Sequence, residues 1–174
     1  MAVKRHSTVS LPMPKIQIPA TAVISGSFLS GAMISLSAFA VPVFLDTNRS
    51  ADHTVRQWVR LYHYGHIYLP ALCVATCGLY GYAAVTKRAG GKKEWTRYVL
   101  AAVSTFAMVP FTWLIMTPTN DTLFGLEASG SAQDLDHVRG LVVKWAWLHV
   151  TRSLFPLVGA FIGFKTLLHE CTIE

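Results

Sequence analysis

Charge is scarce in this sequence, and acidic charge scarcest. Of 174 residues only 14% are Asp, Glu, Lys or Arg, with nine acidic against fifteen basic. An ordinary soluble domain devotes about a quarter of its residues to charge, so that class is excluded. Cysteine is nearly absent as well. Three cysteines make no disulfide framework, and Cys73 and Cys77, four apart on one helix, are poorly placed to bridge each other. The chain has no Gly-x-Gly-x-x-Gly, hence no dinucleotide fingerprint, and no Glu-x-x-His on which to build a carboxylate-assisted metal site.

Apolar sequence is abundant. The chain is 52% hydrophobic with a mean hydropathy of +0.41. Four long apolar stretches, 20–45, 61–85, 95–116 and 141–168, predict an all-α, four-helix transmembrane bundle occupying residues 20–168. A proline-rich tail (1–19) and a short end (169–174) are expected to flank it. The acid-free, Arg-containing start also has the composition of a mitochondrial presequence. The net charge of +6 reflects topology rather than nucleic-acid binding, because the basic residues cluster beside the spans. Lys4, Arg5, Lys15, Lys87, Arg88, Lys92, Lys93, Arg97 and Lys165 fall on one side, and Arg49, Arg56, Arg60 and Arg139 on the other. That asymmetry predicts cytosolic termini; a multi-pass position in an endomembrane is the accompanying expectation. Asn48-Arg-Ser50 and Asn120-Asp-Thr122 are then glycosylation sequons on the far side, each close to a span.

Finer features carry further expectations. Asn48 to Val59 reads as a short interfacial helix with Trp58 at headgroup level, and Thr117 to Asp121 as a turn. Pro110 should kink the third span and free the Phe106 carbonyl. Ser27, Gly31 and Ser35 form one small-residue seam, and Cys73, Cys77 and Gly81 a second.

Chemistry is concentrated in the last span. Lys144, His149 and Arg152 interrupt an otherwise apolar run, and an ionisable group at bilayer depth costs roughly 2.5–3.5 kcal/mol or more, so these should face the interior. Trp145, His149 and Arg152 share one helix face. The pair could be a base beside a fixed cation, or a polar contact holding the helices in register. His63 and His66 with His149 could instead ligate a metal, since imidazole suits zinc, copper and iron. A non-enzymatic interaction or carrier protein is the remaining class.

Trp113-Leu-Ile-Met-Thr-Pro-Thr-Asn-Asp121, followed by Leu141-Val-x-Lys-Trp-x-x-Leu-His-x-x-Arg152, resembles the small fungal anthrone oxygenase family, a four-helix membrane family. The resemblance runs from about residue 20 to 168 and includes the Tyr64-Gly65 to Pro70 segment. It implies oxidation of a lipophilic polyketide anthrone to an anthraquinone by O2 in secondary metabolism, with no cofactor. On that reading His149 is the base, Arg152 with Lys144 stabilises the oxyanion, and Asn120 orients the substrate. Trp113 and Trp145 wall it, and Asp121, His66 and Tyr64 join them in binding it.

Overall fold

The computed structural model describes residues 14–130 and 134–173. The first span is α1 (Pro14–Ser35), a π-helical turn (Leu36–Ala40) and α2 (Val41–Thr47). The second is one continuous helix, α3 (Ala51–Ala89). The third comprises α4 (Trp95–Phe106), α5 (Met108–Phe111), a second π-helical turn (Thr112–Met116) and α6 (Thr117–Ser129). The fourth is α7 (Leu135–Ile173), and the described residues contain no strand. All four spans are long and apolar enough to cross a membrane. Helix α1 packs on α3, α3 on α4 and α4 on α7, and α7 closes the ring against α1. The short connections make neighbours antiparallel, giving an up-and-down four-helix membrane bundle.

The helices outrun the bilayer. At 1.5 Å per residue, the 39 residues of α3 and of α7 each rise about 58 Å, against about 30 Å of hydrocarbon. Exposed Lys144 and Lys165 lie roughly 31 Å apart along α7, close to one hydrocarbon thickness. The bundle therefore projects beyond Lys144, and this projection accounts for several departures from the sequence reading.

The expected interfacial helix is instead the first part of α3, started by Ser50, whose hydroxyl accepts from the His53 N–H. Trp58 is fully buried rather than interfacial. It packs edge-on against Trp145 and Phe124, with ring centroids 5.8 and 5.1 Å away, because α6 and the start of α7 cover it. Thr117 to Asp121 is likewise no turn but the first turns of α6, with Pro118 near the helix start where its missing N–H is harmless. The expected tails shrink for the same kind of reason. Pro14 to Pro19 is already helical, while residues 1–13 lie outside the described part. Helix α7 continues to Ile173 because Glu170 receives Lys87 Nζ at 2.7 Å and the Tyr98 hydroxyl at 3.2 Å.

Packing inside the bundle follows small residues, though not all those expected. Ser27 and Gly31 face outward; the inner face of α1 carries Ala22, Gly26, Ser30 and Met33. A methyl on Gly26 would touch Ala160 at 3.5 Å, and Ser30 Oγ donates to the Ser153 carbonyl at 2.9 Å. The second seam packs closely at its two cysteines but not at Gly81, where an added Cβ would meet nothing within 4 Å. Cys73 and Cys77 lay their thiols 3.6 and 3.5 Å from the Thr105 and Ala102 carbonyls of α4, and all three cysteines are free. The third span breaks at Ala107, three residues before Pro110, as the missing proline N–H requires.

The tightest approach is at Gly159, where an added Cβ would meet the Thr105 hydroxyl and lie 2.7 Å from the Ala101 carbonyl oxygen. Gly31 has nothing within 4 Å of that position. Gly159→Ala is expected to destabilise the bundle by about 1–3 kcal/mol, while Gly31→Ala is neutral or stabilising by up to about 1 kcal/mol. Thermal unfolding in detergent checks both, and equal melting temperatures would contradict the α4–α7 contact.

Candidate active site

Two prolines shape the site before any catalytic group is considered. Pro42 and Pro118 have no N–H, so the carbonyls four residues earlier, of Ala38 and Leu114, lose their α-helical donors. In each case the preceding turn closes wide. The Val41 N–H reaches the Leu36 carbonyl, and the Thr117 N–H reaches that of Thr112. These π turns present Ser37 and Thr112 to α7, which carries His149 and Arg152 one turn apart.

The four side chains form a directed chain of hydrogen bonds. A guanidinium only donates, so Arg152 Nη2, 2.7 Å from His149 Nε2, fixes that nitrogen as the acceptor. The His149 proton then resides on Nδ1, 3.5 Å from Ser37 Oγ, and Ser37 in turn donates to the Ala146 carbonyl at 3.2 Å. On the other side Arg152 Nη1 donates to Thr112 Oγ1 at 3.1 Å, and Thr112 donates to the Met108 carbonyl at 2.8 Å. His149 is only 1% exposed. No carboxylate answers Arg152: the ion pairs among the described residues are Arg56–Asp52, Lys87–Glu170 and Arg139–Asp136. The site holds an uncompensated cation fastened by neutral groups.

A cavity of about 280 Å³ adjoins this pair, near the lower end of the roughly 300–1,000 Å³ usual for small-ligand sites. Helix α3 supplies one wall through Tyr62, Gly65 and His66, and the third span another through Thr112, Trp113 and Asn120. Trp145, His149 and Arg152 close it from α7. Aromatic surfaces predominate. Trp145 lies 4.6 Å from His149 between ring centroids, and Tyr62 stacks on His66 at 5.5 Å with 16° between planes. Trp113, 71% exposed, and exposed His66 place the mouth on the flank of the bundle, between α3 and the third span. Three lining residues also carry buried polar atoms without partners: Asn120 Oδ1, Trp145 Nε1 and Arg152 Nε. Unpaired groups of this kind in a native site are where a ligand's oxygens are expected.

Six of the residues singled out in the sequence thus meet at one cavity: His66, Trp113, Asn120, Trp145, His149 and Arg152. Three do not. Lys144 is exposed on the outer side of α7, Asp121 is exposed on α6, and Tyr64 is 57% exposed and off the cavity wall. The three-histidine metal set is not assembled, since among the described residues no three His, Cys, Asp or Glu side chains converge. Both sequon asparagines are buried: Asn48 donates to Gln57 at 2.7 Å, and Asn120 is 4% exposed. Sequence reasoning missed Ser37, Thr112, Tyr62 and Gly65. The signal for the first two was available, as each lies five or six residues before a proline within an apolar run.

Because Thr112 is a neutral partner of a part-buried cation, Thr112→Val is expected to lower stability by about 1.5–3 kcal/mol. Thr112→Ser keeps the hydroxyl and is expected to restore most of it. Melting curves of the two variants test this, and indifference to Thr112→Val would separate Arg152 from the π turn.

Comparison with known proteins places this geometry in context. The family model described as anthrone oxygenase matches residues 58–162. An anthrone oxygenase of Aspergillus novofumigatus is 64% identical over 153 residues, covering 88% of this chain and 94% of the relative. One from a Cryptosporiopsis species is 53% identical over 161 residues, covering 90% and 92%. A noranthrone monooxygenase of Aspergillus flavus is 40% identical over 146 residues, covering 82% and 69%. No solved structure matches the chain.

Proposed function

The chain belongs to the anthrone oxygenase family, and from that membership we propose that it oxidises a polyketide anthrone to the anthraquinone with O2 inside a membrane. The observation that carries this reading is Arg152, a part-buried cation with no carboxylate partner among the described residues, set beside the unpartnered Trp145 N–H on an aromatic cavity. The methylene of an anthrone is flanked by two aryl rings and conjugated through them to the ketone. Removal of one proton moves the electron pair into the rings and onto the ketone oxygen. Arg152 and the Trp145 N–H stabilise that oxygen as its charge grows. The resulting anthrolate is electron-rich enough to give an electron to O2, and the two radicals combine at the same carbon. The hydroperoxide then loses its second carbon-bound hydrogen as a proton while the O–O bond breaks, so CH2 and O2 become C=O and H2O.

Nothing in this sequence of steps calls for a cofactor, with O2 as co-substrate, provided the site is dry and supplies a base. The flank position of the mouth suits a lipophilic tricyclic molecule arriving from the bilayer. The partners are therefore the membrane and an aromatic small molecule, not nucleic acid. The basic asymmetry supports cytosolic termini.

Turnover per folded molecule in detergent, corrected for uncatalysed oxidation, tests the reading. Arg152→Leu is expected to fold and to lose about 10²–10³-fold in kcat, since it removes a charge that matters most in the transition state. Arg152→Lys, which keeps the charge but not the planar fork, is expected to fall between. Unchanged turnover in folded Arg152→Leu would remove the cation from the mechanism. A second expectation is that exhaustive chelation leaves wild-type turnover intact; loss of activity restored by one added metal would defeat the cofactor-free reading.

A further inference from the structure

Two imidazoles line the cavity, and they are held in opposite ways. His149 has its lone pair on Nε2 occupied by Arg152 at 2.7 Å. His66 lies 3.1 Å from the Tyr62 carbonyl through Nδ1, and because a carbonyl only accepts, Nδ1 carries the proton. That tautomer leaves the lone pair on Nε2, for which no protein partner is found among the described residues. The other lining side chains are apolar, hydroxyl, amide, indole or guanidinium groups, and no carboxylate is among them. The choice of base lies between these two histidines.

Substrate geometry decides it. Across the central ring of an anthrone, the ketone oxygen and the methylene carbon stand roughly 4 Å apart by covalent dimensions. A donor in the ring plane adds about 2.8 Å at the oxygen, and a base stands about 3 Å over the ring face at the methylene, where the breaking C–H bond overlaps the π system, so the two groups belong roughly 7–8 Å apart. His149 Nε2 and Arg152 Nη2 are too close together to serve both positions on one molecule. His66 approaches from α3, the wall across from α7.

Resting on the anthrone reading, we infer that His66 is the general base that takes the methylene proton, and that His149 is a positioning residue holding Arg152 on the ketone oxygen. The C–H bond breaks, the proton goes to His66 Nε2, and the electron pair moves through the rings to the oxygen facing Arg152. After O2 adds, His66 returns its proton to the peroxide anion. It then accepts the second methylene proton as the O–O bond breaks and hydroxide leaves, and that proton with the hydroxide makes water. His66 is exposed at the mouth, so it can exchange protons with the surroundings between turnovers. Its one hydrogen bond is to its own helix, so replacing it spares the bundle contacts.

The experiment compares wild type, His66→Gln, His66→Gly, His149→Gln and His149→Gly, as full-length protein in detergent. The substrates are an anthrone carrying two hydrogens or two deuteriums at the methylene. His66→Gln is expected to lower kcat about 100-fold or more, with KM changed by less than about threefold and the hydrogen/deuterium rate ratio raised. Added imidazole should restore part of the His66→Gly rate but none of the His149→Gly rate. His149→Gln should raise KM and keep the wild-type isotope ratio. Wild-type kcat and isotope ratio in His66→Gln, or imidazole rescue of His149→Gly alone, would overturn the assignment of the base while leaving the anthrone reading standing. A wild-type protein that consumes no anthrone with O2 would defeat that reading itself.

Discussion

The structure depends on one awkward group, the Arg152 guanidinium, carried into a membrane bundle without a counter-charge among the described residues. An unpaired cation there is tolerable only when neutral groups satisfy its N–H donors. His149 and Thr112 do this for the two Nη groups, while Nε has no partner among the described residues, and each of the two is fixed in turn. Ser37 orients the imidazole, and the Met108 carbonyl orients the threonine hydroxyl. Ser37 and Thr112 each sit in a π turn whose existence follows from a proline two residues beyond its last residue. The path from sequence to chemistry therefore runs through Pro42 and Pro118, neither of which touches the cation in any observed hydrogen bond.

The opposite end of the bundle treats charge differently. Lys87 and Glu170, both largely buried, form a direct ion pair joined by Tyr98, which ties α3, α4 and α7 together. A paired buried charge of this kind adds little net stability, but it fixes register, because any slide of one helix would strand both ions. The close glycine contacts lie in the same half: Gly159 on Thr105, and Gly163, where a Cβ would come within 2.7 Å of the Tyr80 ring. Rigid packing is thus separated from the cavity, which opens where α3 and the third span diverge around Gly65 and Trp113. A site that must admit a planar molecule from the side benefits from this division, because opening the mouth need not disturb the packed end.

Legibility from sequence followed the strength of the competing rules. The four spans were plain because long apolar runs admit few alternatives, and the His149–Arg152 pair because an ionisable residue in such a run demands an explanation. Trp58 was misread because the rule that tryptophan favours the interface assumes the helix ends at the membrane; here the bundle continues past it, and burial wins. Thr117 to Asp121 has the composition of a turn, yet Pro118 is equally at home in the first turn of a helix, and tertiary packing of Asn120 selected that outcome. The outward Ser27–Gly31 row shows that small residues mark a close approach only when they lie on the inner face. Lys144 illustrates a related error: periodicity places it about one residue-step (100°) from Trp145, and that angle separates a lining side chain from an exposed one.

Cation and mouth together constrain what the cavity can bind. A resident carboxylate would neutralise Arg152 and remove the attraction for a developing oxyanion, whereas a fully enclosed guanidinium would be too costly to keep ionised. Partial support by a lone pair and a hydroxyl lies between these limits. Along α7, Arg152 is roughly 12 Å beyond Lys144 by helix rise, so the cation sits well inside the apolar layer while His66 stands at the open flank. On the proposed assignment the methylene proton stays on His66 at the flank until the peroxide anion takes it back. Negative charge on the ketone oxygen would meanwhile be held by Arg152 on the far wall, and that separation would keep proton and anion from recombining before O2 arrives.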